Sequence, residues 1–92
     1  MPNNESATPE IIPEGLFVVL VEMAQEYQRA RVKFPPFHSA HEGYAIIKEE
    51  LDELWGYVKA NQVFRSRKEA VQVGAMAIAF IMEASITRVE GK

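Results

Sequence analysis

From Ala70 to Met82 the chain reads AVQVGAMAIAFIM, thirteen residues in which only Gln72 is polar. Wound as a helix, this run is apolar on every side, and a helix apolar all round has to be enclosed. It is bounded by Lys68, Glu69 and Glu83, and it falls short of the ~20 residues that cross a bilayer. The enclosing surface must therefore be protein. A chain of 92 residues is one small domain with a marginal core, so three helices of one copy would not easily surround such a run. The expectation is an interface between copies that includes this helix, with Gly74, Ala75, Ala77 and Ala79 small enough to let backbones approach.

Two further helices can be placed upstream. Leu16, Val19, Leu20, Met23, Tyr27 and Ala30 recur at three- and four-residue steps, with Glu22, Glu26, Arg29 and Lys33 as a displaced charged stripe. Pro13 suits a first turn and Glu14 complements the helix dipole, so a first helix is predicted over about residues 13 to 32. Phe34-Pro35-Pro36-Phe37 must end it, because the residue before a proline is driven out of the α region. Ser39 followed by Glu42 has the spacing of a capping box and opens a second helix over about 40 to 60. Asn61 and Gln62 close that helix. Ser66 followed by Glu69 repeats the capping signal, and a third helix is predicted from there to about residue 87. The fold class is all-α: a helical domain over about residues 13 to 88, three main helices per chain completed by homo-oligomerisation, after a flexible lead-in over about 1 to 12 and before a frayed end.

Charge and composition exclude several classes. Ten Lys and Arg against thirteen Asp and Glu give a net charge of -3, which argues against a sequence-independent grip on nucleic acid, since that grip rests on neutralising phosphates. No cysteine is present, so neither disulfides nor thiolate metal sites arise, as expected of a cytoplasmic protein. Neither a signal peptide nor a membrane span is expected. His38 and His41 lack a third soft ligand and are expected to be capping or surface groups rather than zinc ligands.

The second helix carries two distinct sides. Around Leu51, the residues Tyr44, Ile47, Leu54, Trp55 and Val58 fall within roughly 60° of one direction and form the expected core stripe. Trp55 is expected to pack there rather than stack a base. Glu42, Glu49, Glu50 and Glu53 point away, between roughly 160° and 260°, but Ile46 and Tyr57 share their sector. A β-branched aliphatic and a tyrosine among acids suggest that another helix covers this side too. On the third helix Glu69, Gln72, Val73, Met76, Phe80 and Glu83 all point within about 60° of one direction, which puts Glu69 and Gln72 at the head of an apolar face, in position to meet the second helix's acids.

The segment HEGYAIIKEELDELW, a short polar loop and then RKEAVQVGAMAIAFI resemble the MazG-like all-α nucleoside triphosphate pyrophosphohydrolases, particularly their small phage and prophage members, over about residues 33 to 83. In that family an EExxE motif on one helix and an ExxD motif on the next hold Mg²⁺, which engages the phosphates of a nucleotide cleaved to monophosphate and pyrophosphate. Glu49, Glu50 and Glu53 match the first motif and Glu69 the first acid of the second. Gln72 stands where the family has aspartate, which removes one anionic ligand. The resemblance thus implies Glu50, Glu53 and Glu69 as metal ligands with Gln72 as a weaker fourth and Mg²⁺ or else Mn²⁺ as cofactor; Glu49 is a candidate base for the attacking water, and the all-round apolar third helix points to a homodimer or homotetramer.

The chemistry of this pattern is straightforward. Mg²⁺ takes a few carboxylates together with water and substrate phosphates. Glutamates three apart on a helix lie side by side, and an acid on an antiparallel neighbour closes the clamp. Lys48, Arg65, Arg67 and Lys68 are candidates for triphosphate oxygens, the last three close to a helix N-terminus that favours anions. A solvated acidic face is the ordinary reading of EELDEL by itself. The alternative to an enzyme is a catalytically degenerate oligomer that binds a nucleotide or a protein.

Overall fold

The computed structural model describes residues 12–84; all but the last residue of the expected lead-in over 1–12, and the expected end of the third helix and tail over 85–92, lie outside them. Among the described residues the chain is all-helical: α1 spans Glu14–Lys33, α2 Ala40–Lys59 and α3 Val63–Ala79, and the last turn, Phe80–Ala84, widens to a π-helix. None of these helices is long and apolar enough to cross a membrane.

Two of the three expected helix starts hold. Pro13 precedes α1 and its carbonyl accepts from the Phe17 N–H at 2.9 Å. Phe34 leaves the helix with extended backbone, as a residue before proline must. The Ser39 hydroxyl caps α2 by accepting from the Glu42 N–H at 3.1 Å, while the Glu42 carboxylate accepts from the His38 N–H at 2.6 Å, one residue before the position a capping box uses. The close of α2 is a Schellman turn: Asn61 sits in the left-handed region at φ 59°, and the Gln62 and Asn61 N–H groups reach back to the Tyr57 and Val58 carbonyls.

The third start is corrected. α3 begins at Val63, and Ser66 lies inside it, its hydroxyl donating to the Gln62 carbonyl at 2.9 Å. The turn at Asn61 releases the chain so early that a helix can resume two residues later, and Ser66 then bonds backward as an interior serine does.

α3 is the middle rod, with α1 against one side and α2 against another. α1 runs parallel to it, as the pairs Glu22 with Arg67 and Arg31 with Glu83 show, and α2 antiparallel, with Gly43 by Phe80. The core is small: Phe37, Ala75, Met76 and Ala79 are buried, and Tyr27, Ala30, Ile46, Ile47 and Phe80 pack around them. Two glycines allow this approach. A Cβ at Gly43 would come within 2.7 Å of the Phe80 ring, and one at Gly74 within 2.5 Å of the Met23 side chain.

The expected core stripe of α2 is the second correction. Tyr44, Leu51, Trp55 and Val58 are exposed, Trp55 at 58%, with only Ile47 and Leu54 of that stripe half-buried. α3 docks instead on the side that carries Gly43, Ile46, Glu50 and Tyr57, where the missing Cβ of Gly43 lets the Phe80 ring come closer than any other residue would allow. α1 divides along its length. Met23, Tyr27 and Ala30 turn inward as expected, whereas Leu16, Phe17, Val18 and Leu20 are exposed.

Candidate metal centre

The docking of α2 on α3 brings three acids together. Glu50 and Glu53, three residues apart on α2, meet Glu69 on the first turns of α3, and one carboxylate oxygen from each lies within 4.8 Å of the others. Glu53 is exposed, while Glu50 and Glu69 are half-buried. One Glu69 oxygen, Oε2, is cut off from solvent and has no hydrogen-bond partner. A buried carboxylate oxygen without a donor is costly. Burial first, then hydrogen bonding with Glu50 and the neighbouring Glu50 and Glu53 charges, push the Glu69 carboxyl up to about 8. The arrangement therefore carries more negative charge than its own side chains neutralise.

Gln72 points elsewhere. Its amide nitrogen donates to the Glu26 carboxylate on α1, so it joins α3 to α1. Glu26 also accepts from the Arg29 Nε and Nη2 at 3.1 and 2.6 Å. Arg29 chiefly, with help from Gln72 against the opposing effect of burial, holds the Glu26 carboxyl below its ordinary value. Glu49 is exposed and outside the three-acid convergence. Lys48 pairs with Asp52 at 3.3 Å on the exposed side of α2.

Beside the acids a cavity of about 460 Å³ opens between α1 and α3, and Glu69 forms part of its wall. Arg65, Arg67 and Lys68 line it as well. All three are exposed, and Arg67 Nη2 pairs with Glu22 Oε1 at 2.7 Å. Its more buried wall is made of Glu22, Glu26, Tyr57, Val71 and Gln72 together with Glu69. The α1 acids Glu22 and Glu26 were assigned by periodicity to a charged outer stripe. One signal did point to them: Gln72, the only polar group in a thirteen-residue apolar run, needs a partner when half-buried, and a partner must come from a facing helix.

A second charged group, Glu83 on the same face of the third helix as Glu69, closes the other end. Glu83 accepts from the Arg31 Nε at 2.7 Å, the Tyr27 hydroxyl at 2.7 Å and the Phe37 N–H at 3.0 Å. Burial acts to raise the Glu83 carboxyl, but the Arg31 guanidinium, the Phe37 N–H and the Tyr27 hydroxyl together bring it below the usual carboxylate value.

His38 and His41 are exposed, and His38 Nδ1 lies 3.3 Å from Glu42. Trp55 carries Lys59 at 5.5 Å from its ring centroid on the outer face of α2. Phe37 is buried, whereas Phe34 is exposed.

No protein-family model, no curated protein and no solved structure matches this chain.

Proposed function

We propose that this chain is a Mg²⁺-dependent nucleoside triphosphate pyrophosphohydrolase of the MazG-like type, working in the cytoplasm as a homodimer or a dimer of dimers. The observation that carries the reading is the convergence of Glu50, Glu53 and Glu69, with the Glu69 Oε2 buried and unpartnered. Three carboxylates from two helices are a hard-oxygen donor set of the kind that Mg²⁺ or Mn²⁺ accepts alongside water and phosphate. The bound ion would neutralise charge on the phosphates and on the acids, and polarise the attacked phosphorus.

The side chains divide the remaining work. Glu50, Glu53 and Glu69 hold the ion. Arg65 and Lys68, exposed at the cavity edge, draw in the triphosphate, and Arg67 joins them by exchanging Glu22 for phosphate oxygen. Lys48, paired with Asp52 on the outer side of α2, contributes at longer range. Glu49 lies one turn from Glu53 on the same side of α2 and takes the proton of the attacking water. Water oxygen bonds to the α-phosphorus, the α–β anhydride bond breaks, and monophosphate and pyrophosphate leave.

The exposed apolar rows support self-association. Leu51, Trp55 and Val58 on α2 and Leu16, Phe17 and Leu20 on α1 stay open in one copy, and contiguous apolar patches of that kind commonly mark interfaces. Leu51→Glu should shift sedimentation toward the monomer.

Pyrophosphate release from each ribo- and deoxyribonucleoside triphosphate with Mg²⁺ tests the activity. Turnover by the wild type that is lost in Glu53→Gln supports the enzyme. The second reading, a degenerate nucleotide-binding module, is favoured by the engagement of Gln72 with Glu26, which leaves three acids at the site. Turnover only in Gln72→Asp would establish that reading, and silence in all three proteins would remove the hydrolase.

A further inference from the structure

We infer that Glu22 is an internal competitor for the substrate's phosphates: in the empty protein its carboxylate occupies Arg67, and a triphosphate must displace it to gain the full contact. The inference rests on the proposed nucleotide chemistry and concerns the α1 side of the cavity rather than the acids that hold the ion.

Three cations from α3 stand at the cavity edge, and they are not equivalent. Arg65 and Lys68 pair with no carboxylate among the described residues. Arg67 crosses to α1 and meets Glu22 through both terminal nitrogens, Nη2 donating to Oε1 at 2.7 Å and Nη1 to Oε2 at 3.3 Å. Arginine takes a phosphate with the same fork, so the Glu22 oxygens mark a place where phosphate oxygens fit. The Nε side of Arg67 stays open, but a phosphate bound there shares one positive charge with a second anion, which weakens its hold. Displacing Glu22 gives the phosphate the whole charge. Glu26, the neighbouring α1 carboxylate in the cavity, is held by Arg29 and Gln72 instead.

The pair is also weak enough to yield. Its side chains are 51% and 38% exposed, and an exposed ion pair is closed for much but not all of the time. A ligand that needs the open form binds more weakly in proportion to the fraction open. Closure by Glu22 should therefore weaken triphosphate binding about two- to sixfold. While the cavity is empty, Glu22 offsets part of the charge of three cations set within four positions of α3; the exchange hands that role to the substrate.

The test uses the full chain with Mg²⁺ and inorganic triphosphate, which brings the phosphates without a base and so does not depend on base preference. Each variant is first checked by circular dichroism for native helix content. Calorimetry at low ionic strength, where surface charges are least screened, should give a Kd about two- to sixfold lower for Glu22→Gln than for the wild type. Arg67→Gln should bind more weakly than the wild type, and adding Glu22→Gln to it should bring no gain, since no guanidinium is there to release. An equal or higher Kd in Glu22→Gln overturns the inference, the higher value marking Glu22 as a support that orients Arg67. A gain that persists undiminished beside Arg67→Gln also overturns it, because the benefit would then come from net charge alone. The hydrolase is judged separately by pyrophosphate release. The Glu22→Gln gain without turnover of any nucleotide keeps the competitor and removes the hydrolase, and turnover without the gain does the reverse. Absence of inorganic triphosphate binding by every protein removes the competitor.

Discussion

Two glutamates on one continuous rod meet opposite fates. Glu69, near the start of α3, and Glu83, in the π-turn that continues it, are both half-buried. Glu83 is met by a guanidinium, a hydroxyl and a backbone N–H, and its carboxyl is held below its ordinary value. Glu69 is met by two more carboxylates, and its carboxyl is pushed up to about 8. Burial alone therefore does not distinguish a fastening from a site; the company each group keeps does. The Glu83 end ties α1, the Pro-Pro turn and α3 into one body, and its polar groups satisfy one another. The Glu69 end gathers negative charge that no countercharged side chain offsets, and a proton or a cation relieves it.

The largest expected effect lies at the satisfied end. Glu83→Ala leaves Arg31, with a side chain only 17% exposed, without its carboxylate partner. Removing one member of a buried pair costs about 3 kcal/mol, so thermal unfolding should fall by roughly 10 °C or more. Adding Arg31→Met should recover part of the loss, because the stranded charge goes too. A double variant no more stable than the single one would show that packing, not the ion pair, holds this end.

The next effect belongs to the unsatisfied end and needs a metal. Mn²⁺ at a hundredfold excess over its Kd should stabilise the wild type by ~2.7 kcal/mol. Glu69→Gln should abolish that response. Without metal the same substitution should stabilise the protein at pH 8, by roughly 1 kcal/mol after allowing for screening at a partly open site. This inversion separates a metal centre from a solvated acidic face: loss of stability in Glu69→Gln without metal, or an undiminished response to Mn²⁺, would rule the centre out.

Much of this comparison was legible in the sequence, and the missing part has a physical cause. Pro13, Phe34-Pro35-Pro36 and Ser39 fix helix ends through local backbone chemistry, which needs no knowledge of neighbours. Glu50, Glu53 and Glu69 were singled out by the resemblance of EExxE and the following acid to a known pattern, not by spacing alone, and the docking of α2 on α3 brings the three together. The inward face of α2 was not. Periodicity gives directions around one axis and does not say which of two apolar stripes a neighbour takes; α3 took the one on which Gly43 admits Phe80. Ser66 misled because a capping pattern inside a helix looks the same as one at its start. The Glu83 cluster joins residues 46 to 56 positions apart, beyond the reach of local pattern, although Tyr27, Arg31 and Phe37 each stood in a recognised segment.

Acidity should distinguish the two ends more gently than substitution does. The folded value of Glu83 is below the ordinary 4.5, so its stabilisation is fully present above that value and disappears as pH falls through the lowered one. Glu69 has the opposite sign. With its folded value raised from 4.5 to about 8, its contribution is fully present below 4.5 and is lost as pH climbs through 8. The metal-free protein should accordingly be most stable near the lower end of this interval, and Mn²⁺ should flatten the alkaline decline while leaving the acid limb in place. A profile whose alkaline decline persists unchanged in Glu69→Gln would assign that limb to another group.

The smallest effect tests how Glu83 divides its support. Tyr27→Phe removes one hydroxyl donor but leaves the Arg31 fork and the Phe37 N–H in place, so no buried charge is stranded and the cost should be about 1 kcal/mol or less. Because the hydroxyl helps to stabilise the charged carboxylate, its loss should also move the acid limb of the stability profile to slightly higher pH. Circular dichroism melts between pH 3 and 6 would register both changes. If Tyr27→Phe cost as much as Glu83→Ala, the hydroxyl rather than the guanidinium would be the principal support of the carboxylate, and the contrast with Glu69 would turn on one neutral hydrogen bond instead of on countercharge.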